Sequence, residues 1–180
     1  MHLEVLKRAL AGEPDTLASV GTMQHELSRL ARMLPAAFEV IALERETVER
    51  VSLRVLVSRA IDEHGLATVE VQDGPWPEVN GDPALLALAI AHLLKNAIAA
   101  TRAAGTDRQP VVGVETDGPD AVILVVRDWG TGFRSTNPKV LIRLAGVGLL
   151  TVERVARLHG GRLSFGAPGD GAEVRLTLPA

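Results

Sequence analysis

"VVRDWGTGFR", residues 125–134, joins the end of an apolar strand to a turn that is rich in glycine. Asp128 ends a largely apolar run, and Gly130 and Gly132 come shortly after it. Glycine lets a backbone approach a flat ligand closely, and a carboxylate can accept a hydrogen bond from an exocyclic amine. Many Asp-x-Gly triplets are simply turns. The stretch nevertheless predicts a purine-binding site, and adenine, which has an exocyclic amine, is the expected ligand.

The segments around this stretch predict a two-layer α+β domain. Residues 67–73, 111–128 and 161–179 alternate as strands, and the last two ranges contain hairpin turns. A helix is predicted from the Asp82 cap to Gly105, and another follows the glycines at 146 and 148. Residues 74–82 are predicted to be a loop. We therefore expect about five strands in one layer and helices in the other.

The first third of the chain predicts helices. A short amphipathic stretch covers residues 3–12, and apolar residues then recur at spacings of three and four over residues 17–34. Pro35 interrupts this pattern, which resumes over residues 36–61. We expect a helical hairpin that turns near residues 33–37, although one helix with a kink at Pro35 also fits.

Composition excludes several classes of function. The net charge is −3 and the lysines and arginines form no cluster, which argues against a nucleic-acid partner. The chain has no cysteine, so disulfides and thiolate metal sites are excluded. The longest apolar run, residues 84–94, is too short to span a membrane. We expect a cytoplasmic protein without a membrane segment.

Two further patterns could bind a phosphate-bearing ligand. His92, Lys95 and Asn96 share one stripe of the helix after Asp82. An Asn among Ala and Leu is either a structural amide or an oxygen ligand for Mg²⁺. Gly146 and Gly148 precede a helix whose free N–H groups favour phosphate, although a lone Gly-x-Gly is usually just a loop.

Taken in order, three motifs resemble the N, G1 and G2 boxes of the GHKL ATPase superfamily. They are "HLLKNAIAA" (92–100), "DWGTGF" (128–133) and "GVGLLTVERVARLHGGRLSF" (146–165). Within that superfamily, residues 51–180 look like the catalytic domain of bacterial sensor histidine kinases. The resemblance implies a two-layer α/β sandwich of the Bergerat type that binds ATP and Mg²⁺.

The resemblance also implies roles for individual residues. Asn96 matches the Mg²⁺ ligand, and Asp128 matches the acceptor of the adenine amino group. His92 could assist the metal or a water, or simply pack, and Lys95 lies in the same box with a variable role. The glycines that match positions beside the adenine and the phosphates are Gly130, Gly132, Gly146 and Gly148.

A candidate phosphoacceptor lies near the N-terminus, in "LASVGTMQHELSRL" (17–30). The segment resembles the region around the phosphorylated histidine of these kinases, which would make His25 the nucleophile and Glu26 its neighbouring base. A neutral imidazole can attack phosphorus while a carboxylate takes the ring proton. The alternative is that His25 is an ordinary histidine on a dimerisation helix.

The leading hypothesis is a histidine kinase with residues 1–50 as a dimerisation and phosphotransfer hairpin and residues 51–180 as the ATP-binding domain. It would form a homodimer through its N-terminal helices and pass the phosphoryl group from His25 to an aspartate of a response-regulator receiver domain. One alternative is a non-catalytic phosphotransfer or scaffold protein, which the short hairpin and the cropped ATP lid at residues 133–145 favour. Another is a GHKL kinase acting on serine or threonine.

Overall fold

A computed structural model describes residues 14–133, 146–166 and 169–180 of the chain. The amphipathic stretch at residues 3–12 and nearly all of the predicted ATP lid lie outside the described residues. The described helices are α1 (Pro14–Ile41), α2 (Leu53–His64), α3 (Pro83–Ala103) and α4 (Val147–Leu158). The described strands are β1 (Glu49–Ser52), β2 (Glu70–Val71), β3 (Glu78–Gly81), β4 (Val111–Thr116), β5 (Ala121–Asp128), β6 (Arg162–Gly166) and β7 (Ala172–Pro179).

The N-terminal region contains one long helix where a hairpin was predicted. Helix α1 runs from Pro14 to Ile41 and continues through the expected turn near residues 33–37. The structure therefore has the alternative arrangement, one helix that continues through Pro35, and the hairpin prediction is wrong. A proline removes one intrahelical hydrogen bond, but two alanines follow Pro35, and alanine is the best helix former. The helix ends only at the stretch before β1.

The chain divides into two compact units, one up to Glu39 and one from Val40 to Ala180. The second unit thus includes residues 40–50, which the sequence analysis placed with the N-terminal segment. The proposed division into residues 1–50 and 51–180 remains a prediction about roles.

The second unit is the predicted two-layer sandwich. Its five-stranded sheet has the order β2-β4-β5-β7-β6, in which β2 runs parallel to β4 and the other neighbours are antiparallel. The hairpins β4–β5 and β6–β7 are confirmed. The strand predicted over residues 67–73 is shorter in the structure, where only the two residues of β2 form it. Helices α3 and α4 pack together, and α3 lies against β5 at the centre of the sheet.

A second, two-stranded sheet was not predicted. β1 pairs antiparallel with β3, and Val51 lies opposite Val79. Both valines are buried. β1 interrupts the predicted helix at 36–61, and β3 occupies part of the predicted loop at 74–82. The pairing partner of β1 lies about thirty residues away, and such a distant contact leaves no local pattern.

Helix α3 is the centre of the fold, and its start is fixed by two residues. Asp82 caps it by accepting hydrogen bonds from the N–H groups of Ala84 and Leu85. The Asp82 N–H in turn donates to Nε2 of the buried His159 at 2.9 Å, which ties the end of α4 to the start of α3. Helix α3 is long and apolar enough to cross a membrane, but half of its most apolar window is buried inside the domain. Its apolar character is that of a core helix.

Candidate functional site

A cavity of about 210 Å³ lies beside α3, at the end of β5 and the start of α4. Asn96 contributes from α3 and Asp128 from the last position of β5, so two predicted site residues from separate motifs face the same space. The remaining walls are apolar and include Leu93, Ala97, Ala99, Ala100, Val126, Phe133, Leu149 and Val174. Apolar walls with a few polar groups are typical of small-molecule sites.

The carboxylate of Asp128 is buried and held in one orientation. Its Oδ1 accepts hydrogen bonds from the N–H of Gly130 at 2.8 Å and of Ala172 at 3.2 Å. Among the described residues, no donor binds Oδ2. Burial raises the pKa of Asp128, and the two backbone hydrogen bonds only partly oppose it. The site therefore offers an oriented carboxylate with one oxygen available to a ligand.

The glycines after Asp128 are required by the space around them. A Cβ on Gly130 would lie 2.9 Å from the Ala100 Cβ and 3.1 Å from the Ala100 carbonyl oxygen. Gly132 has a φ of +73° and approaches the carbonyl oxygen of Gly171, which a Cβ would meet at 2.8 Å. These contacts press the turn against α3 and the β6–β7 connection. The sequence predicted a backbone that approaches a ligand closely; the structure shows a close approach to Ala100 and Gly171, and the contact with a ligand stays a prediction.

The glycines at 146 and 148 lie at the start of α4. Gly146 precedes the helix with a φ of +82°, and no side chain of the described residues caps the helix there. A Cβ on Gly148 would lie 3.2 Å from His92 Nδ1 and 3.7 Å from Asn96 Nδ2. The structure therefore brings the start of α4, with its uncapped N–H groups, next to Asn96.

His92 and Lys95 take different positions from Asn96. Both line a separate cleft of about 240 Å³ between α2 and α3. Lys95 is exposed and does not line the cavity of Asp128. His92 is half-buried, and burial, together with the charge of Lys95, lowers its pKa. His92 lies beside Gly148 at the start of α4, and its predicted role, either packing or assisting the metal or a water, stays a prediction.

His25 and Glu26 belong to the other compact unit. Both residues lie on α1 and are exposed. Exposure suits a histidine that has to meet a phosphate. The structure describes no site around them, so their predicted roles stay predictions.

Sequence reasoning missed several residues that shape the cavity. The buried Thr101 accepts a hydrogen bond from the Trp129 N–H through Oγ1 at 3.1 Å, which fixes the turn to α3. Phe133 lines the cavity and packs edge-on against Phe165, with ring centroids 5.3 Å apart. Gly171, at a φ of +87°, lies against the Asp128 carbonyl. Gly171 lies in a predicted hairpin turn that is rich in glycine, so there was some indication of it in the sequence. Nothing in the sequence distinguishes Thr101 from other threonines.

Residues 81–180 match the family model described as "Histidine kinase-, DNA gyrase B-, and HSP90-like ATPase". The matched residues contain the whole cavity and make up more than half of the chain. The chain belongs to this ATPase family. The predicted resemblance to the GHKL superfamily is thereby confirmed.

The chain is also similar to sensor histidine kinases. The sensor histidine kinase MtrB of Mycobacterium leprae is 31% identical over 93% of this chain and 34% of its own length. The sensor-like histidine kinase SenX3 of Mycolicibacterium smegmatis is 30% identical over 98% of this chain and 53% of its own length. The chain thus spans about a third of the length of MtrB.

Solved structures show the same fold. The ATP-binding domain of PrrB from Mycobacterium tuberculosis is 25% identical and superimposes with a TM-score of 0.58, over 74% of this chain and 97% of that domain. The similarity confirms the two-layer sandwich and the resemblance to the catalytic core of bacterial sensor histidine kinases.

Proposed function

We propose that this ATPase-family protein is a histidine kinase that binds Mg-ATP, phosphorylates His25 and passes the phosphoryl group to an aspartate of a receiver domain. The observation that carries the proposal is the shared cavity of Asn96 and Asp128. These two residues come from distant motifs, and each has the chemistry that one end of ATP requires. The similarity to MtrB and SenX3 supports the choice of a histidine as acceptor.

The purine would bind against the apolar walls next to Asp128. The ionised carboxylate accepts a hydrogen bond from the adenine amino group through Oδ2, because Oδ1 already serves Gly130 and Ala172. The phosphates would extend toward the uncapped start of α4, where N–H groups favour negative charge. The name of the PrrB domain, an ATP-binding domain, supports the same ligand.

A magnesium ion fits the residues present when it arrives with the nucleotide. Among the described residues, no group of three or more histidines and carboxylates could hold a metal alone. Asn96 offers one amide oxygen at the cavity, and Mg²⁺ typically takes one or two protein ligands plus substrate phosphates. When bound, the ion would neutralise charge on the phosphates.

The chemical step is a phosphoryl transfer to an imidazole. A neutral ring nitrogen of His25 attacks the γ-phosphorus, the bond to the β–γ bridging oxygen breaks, and ADP leaves with the electron pair. Glu26, the next residue on α1, takes the ring proton. The resulting phosphohistidine then gives its phosphoryl group to the receiver carboxylate.

Helix α1 also supports a homodimer. Met23, Leu27, Leu34 and Phe38 are all more than half exposed and recur at spacings of four, seven and four residues. This spacing places them on one stripe of the helix, and a second copy of α1 would cover them. We propose that dimerisation occurs through this stripe and that the kinase acts in the cytoplasm.

The test is phosphorylation with γ-labelled ATP and Mg²⁺. The wild-type chain should take up label that is lost in acid, as expected of phosphohistidine. His25→Gln should abolish the label, whereas His64→Gln, which changes another exposed helical histidine, should keep it. Asn96→Ala should reduce the label with His25 intact.

The alternative functions give different results in the same test. Acid-stable label on an added partner alone would indicate a serine or threonine kinase. Absence of label together with absence of ATP binding in calorimetry would indicate a phosphotransfer or scaffold protein and would overturn the proposal.

A further inference from the structure

Two arginines and one aspartate form a charged cluster around one indole ring, next to the cavity and outside it. We call Arg108, Arg127, Trp129 and Asp170 the tryptophan cluster. The guanidinium carbon of Arg108 lies 3.1 Å from the Trp129 ring centroid, and that of Arg127 lies 4.1 Å away. Both arginines also donate to the Asp170 carboxylate, each at 2.8 Å. Stacking on an aromatic ring and pairing with a carboxylate both restrain the position of a guanidinium.

The tryptophan cluster joins three segments that are distant in the sequence. Arg108 comes from the connection between α3 and β4, Arg127 and Trp129 from the end of β5, and Asp170 from the connection between β6 and β7. The Trp129 Nε1 also donates to the carbonyl oxygen of Gln109 at 2.6 Å. The cluster therefore holds together the chain segments that surround Asp128.

Both backbone donors of Asp128 lie beside members of this cluster. Gly130 follows Trp129 directly, and Ala172 lies two residues after Asp170. Asp128 itself lies between Arg127 and Trp129. A shift of the β6–β7 connection would move the Ala172 N–H, and a shift of Trp129 would move the Gly130 N–H. Either movement would turn the carboxylate that the two donors orient.

We propose that the tryptophan cluster positions the Asp128 carboxylate and thereby sets the preference of the site for a base with an exocyclic amine. The inference rests on the proposed function as an ATP-binding protein. In this role Arg108, Trp129 and Asp170 are positioning residues, since they act through the donors of Asp128 and none of them lines the cavity.

The test compares ATP with ITP, which carries a carbonyl oxygen where adenine has its amine. Both nucleotides are titrated with Mg²⁺ by calorimetry into the wild-type chain and into Asp170→Asn, which keeps the side-chain shape and removes its charge. We expect the ATP affinity to fall about tenfold, the cost of one misaligned hydrogen bond to a charged group. The ITP affinity should stay the same or rise slightly. Removing the charge of Asp170 could also change the affinity for any nucleoside triphosphate. Such a change is the same for ATP and ITP, so it leaves the ratio of their affinities unchanged.

A matched control exists on the same sheet. Glu115 pairs with Arg175, which also binds Glu173, and its side chain is 55% exposed, against 60% for Asp170. That cluster has similar ion pairs, and although its Glu173 follows Ala172, the residue that is changed, Glu115, lies on β4 opposite Ile123 and adjoins neither Gly130 nor Ala172. Glu115→Gln should leave the ATP-to-ITP ratio unchanged.

A spectroscopic readout reports on the cluster directly. In a Trp76→Phe background Trp129 is the single tryptophan of the chain. Its emission should change with Asp170→Asn, because the arginines lose their shared anchor, and should not change with Glu115→Gln. Arg108→Gln provides a second variant, with the same expected loss of the ATP-to-ITP preference.

The outcomes separate this inference from the proposed function. If the wild-type chain prefers ATP and the cluster variants keep that preference, the positioning role is overturned and ATP binding stands. An equal loss of ATP and ITP affinity also overturns it, because it indicates a general structural role. A wild-type chain that binds neither nucleotide overturns both proposals.

Discussion

Helix α1 and the ATP cavity offer their functional groups in opposite ways. On α1, His25 is exposed on a single helix whose apolar stripe also faces outward. In the cavity, Asp128 is buried and accepts hydrogen bonds from the N–H groups of Gly130, in the turn that follows it, and of Ala172, at the start of β7. In the proposed function the first region acts together with a second copy of α1, whereas the described groups of the cavity all come from one compact unit. Substitutions should therefore act on assembly in α1 and on ligand binding in the cavity.

The largest expected effect is on the buried carboxylate. Asp128→Asn should lower ATP affinity by about a hundredfold, because an amide N–H₂ or a misplaced oxygen replaces a charged acceptor. Burial raises the pKa of Asp128, so the ionised form costs folding free energy. The melting temperature of the variant should thus stay equal or rise. Calorimetry and thermal unfolding measure the two effects.

The control for this change is Asp117→Asn, in the exposed turn between β4 and β5. It should leave ATP affinity intact. If Asp128→Asn binds ATP as tightly as the wild-type chain does, the proposed contact between Asp128 and the purine is contradicted.

The next largest effect concerns the exposed stripe of α1. Leu27→Glu should weaken dimerisation at least about tenfold, since a charge replaces an apolar side chain in the contact. Sedimentation equilibrium measures the change. Ser28→Glu, an exposed neighbour outside the stripe, should leave the dimer intact. A wild-type chain that is monomeric at high concentration would contradict the proposed interface.

The pH dependence distinguishes the two regions more finely. The raised pKa of Asp128 means that its carboxylate takes up a proton at a higher pH than an ordinary aspartate does. ATP affinity should therefore decline as the pH falls through that raised value, up to about tenfold per pH unit below it. Dimerisation through an apolar stripe should change little over the same range. ATP affinity that is constant down to the ordinary aspartate range would contradict the buried-carboxylate contact.

The smallest effects come from a matched pair of glycines. A Cβ on Gly130 meets Ala100, whereas one on Gly21 in α1 meets nothing within 4 Å. Gly130→Ala should lower the free energy of unfolding by about 1–3 kcal/mol through overpacking. Gly21→Ala should stabilise its helix by about 0.5–1 kcal/mol. Chemical denaturation measures the free energy of unfolding of both variants. A change of the same sign in both would contradict the predicted difference between the two positions.

Part of the fold could be predicted because its signals are local. The Asp82 cap with Pro83, the alternation of β4 and β5, and the glycines that end helices each depend on neighbours in the sequence. The β1–β3 sheet could not be predicted, since Val51 becomes a strand residue only by pairing with Val79. The hairpin prediction failed at Pro35 because a proline weakens a helix without ending it.

The residues of the site also fall into those that the sequence could predict and those that it could not. Asn96, Asp128 and the glycines beside them stood out by residue type and spacing, and the family match covers them. Thr101 and the tryptophan cluster did not stand out, because an ordinary threonine or arginine gains its role only from what lies beside it.

The sequence by itself determined the ATPase family, the order of most elements and the residues with the chemistry to bind a nucleotide. Only the tertiary structure decided that Asn96 and Asp128 share one cavity, that Lys95 lies outside it, and which donors orient the carboxylate. The physical reason is the separation along the sequence over which each kind of interaction acts. Capping, periodicity and backbone freedom act between close neighbours, whereas burial and the partners of a charged group depend on segments that meet only in the folded chain.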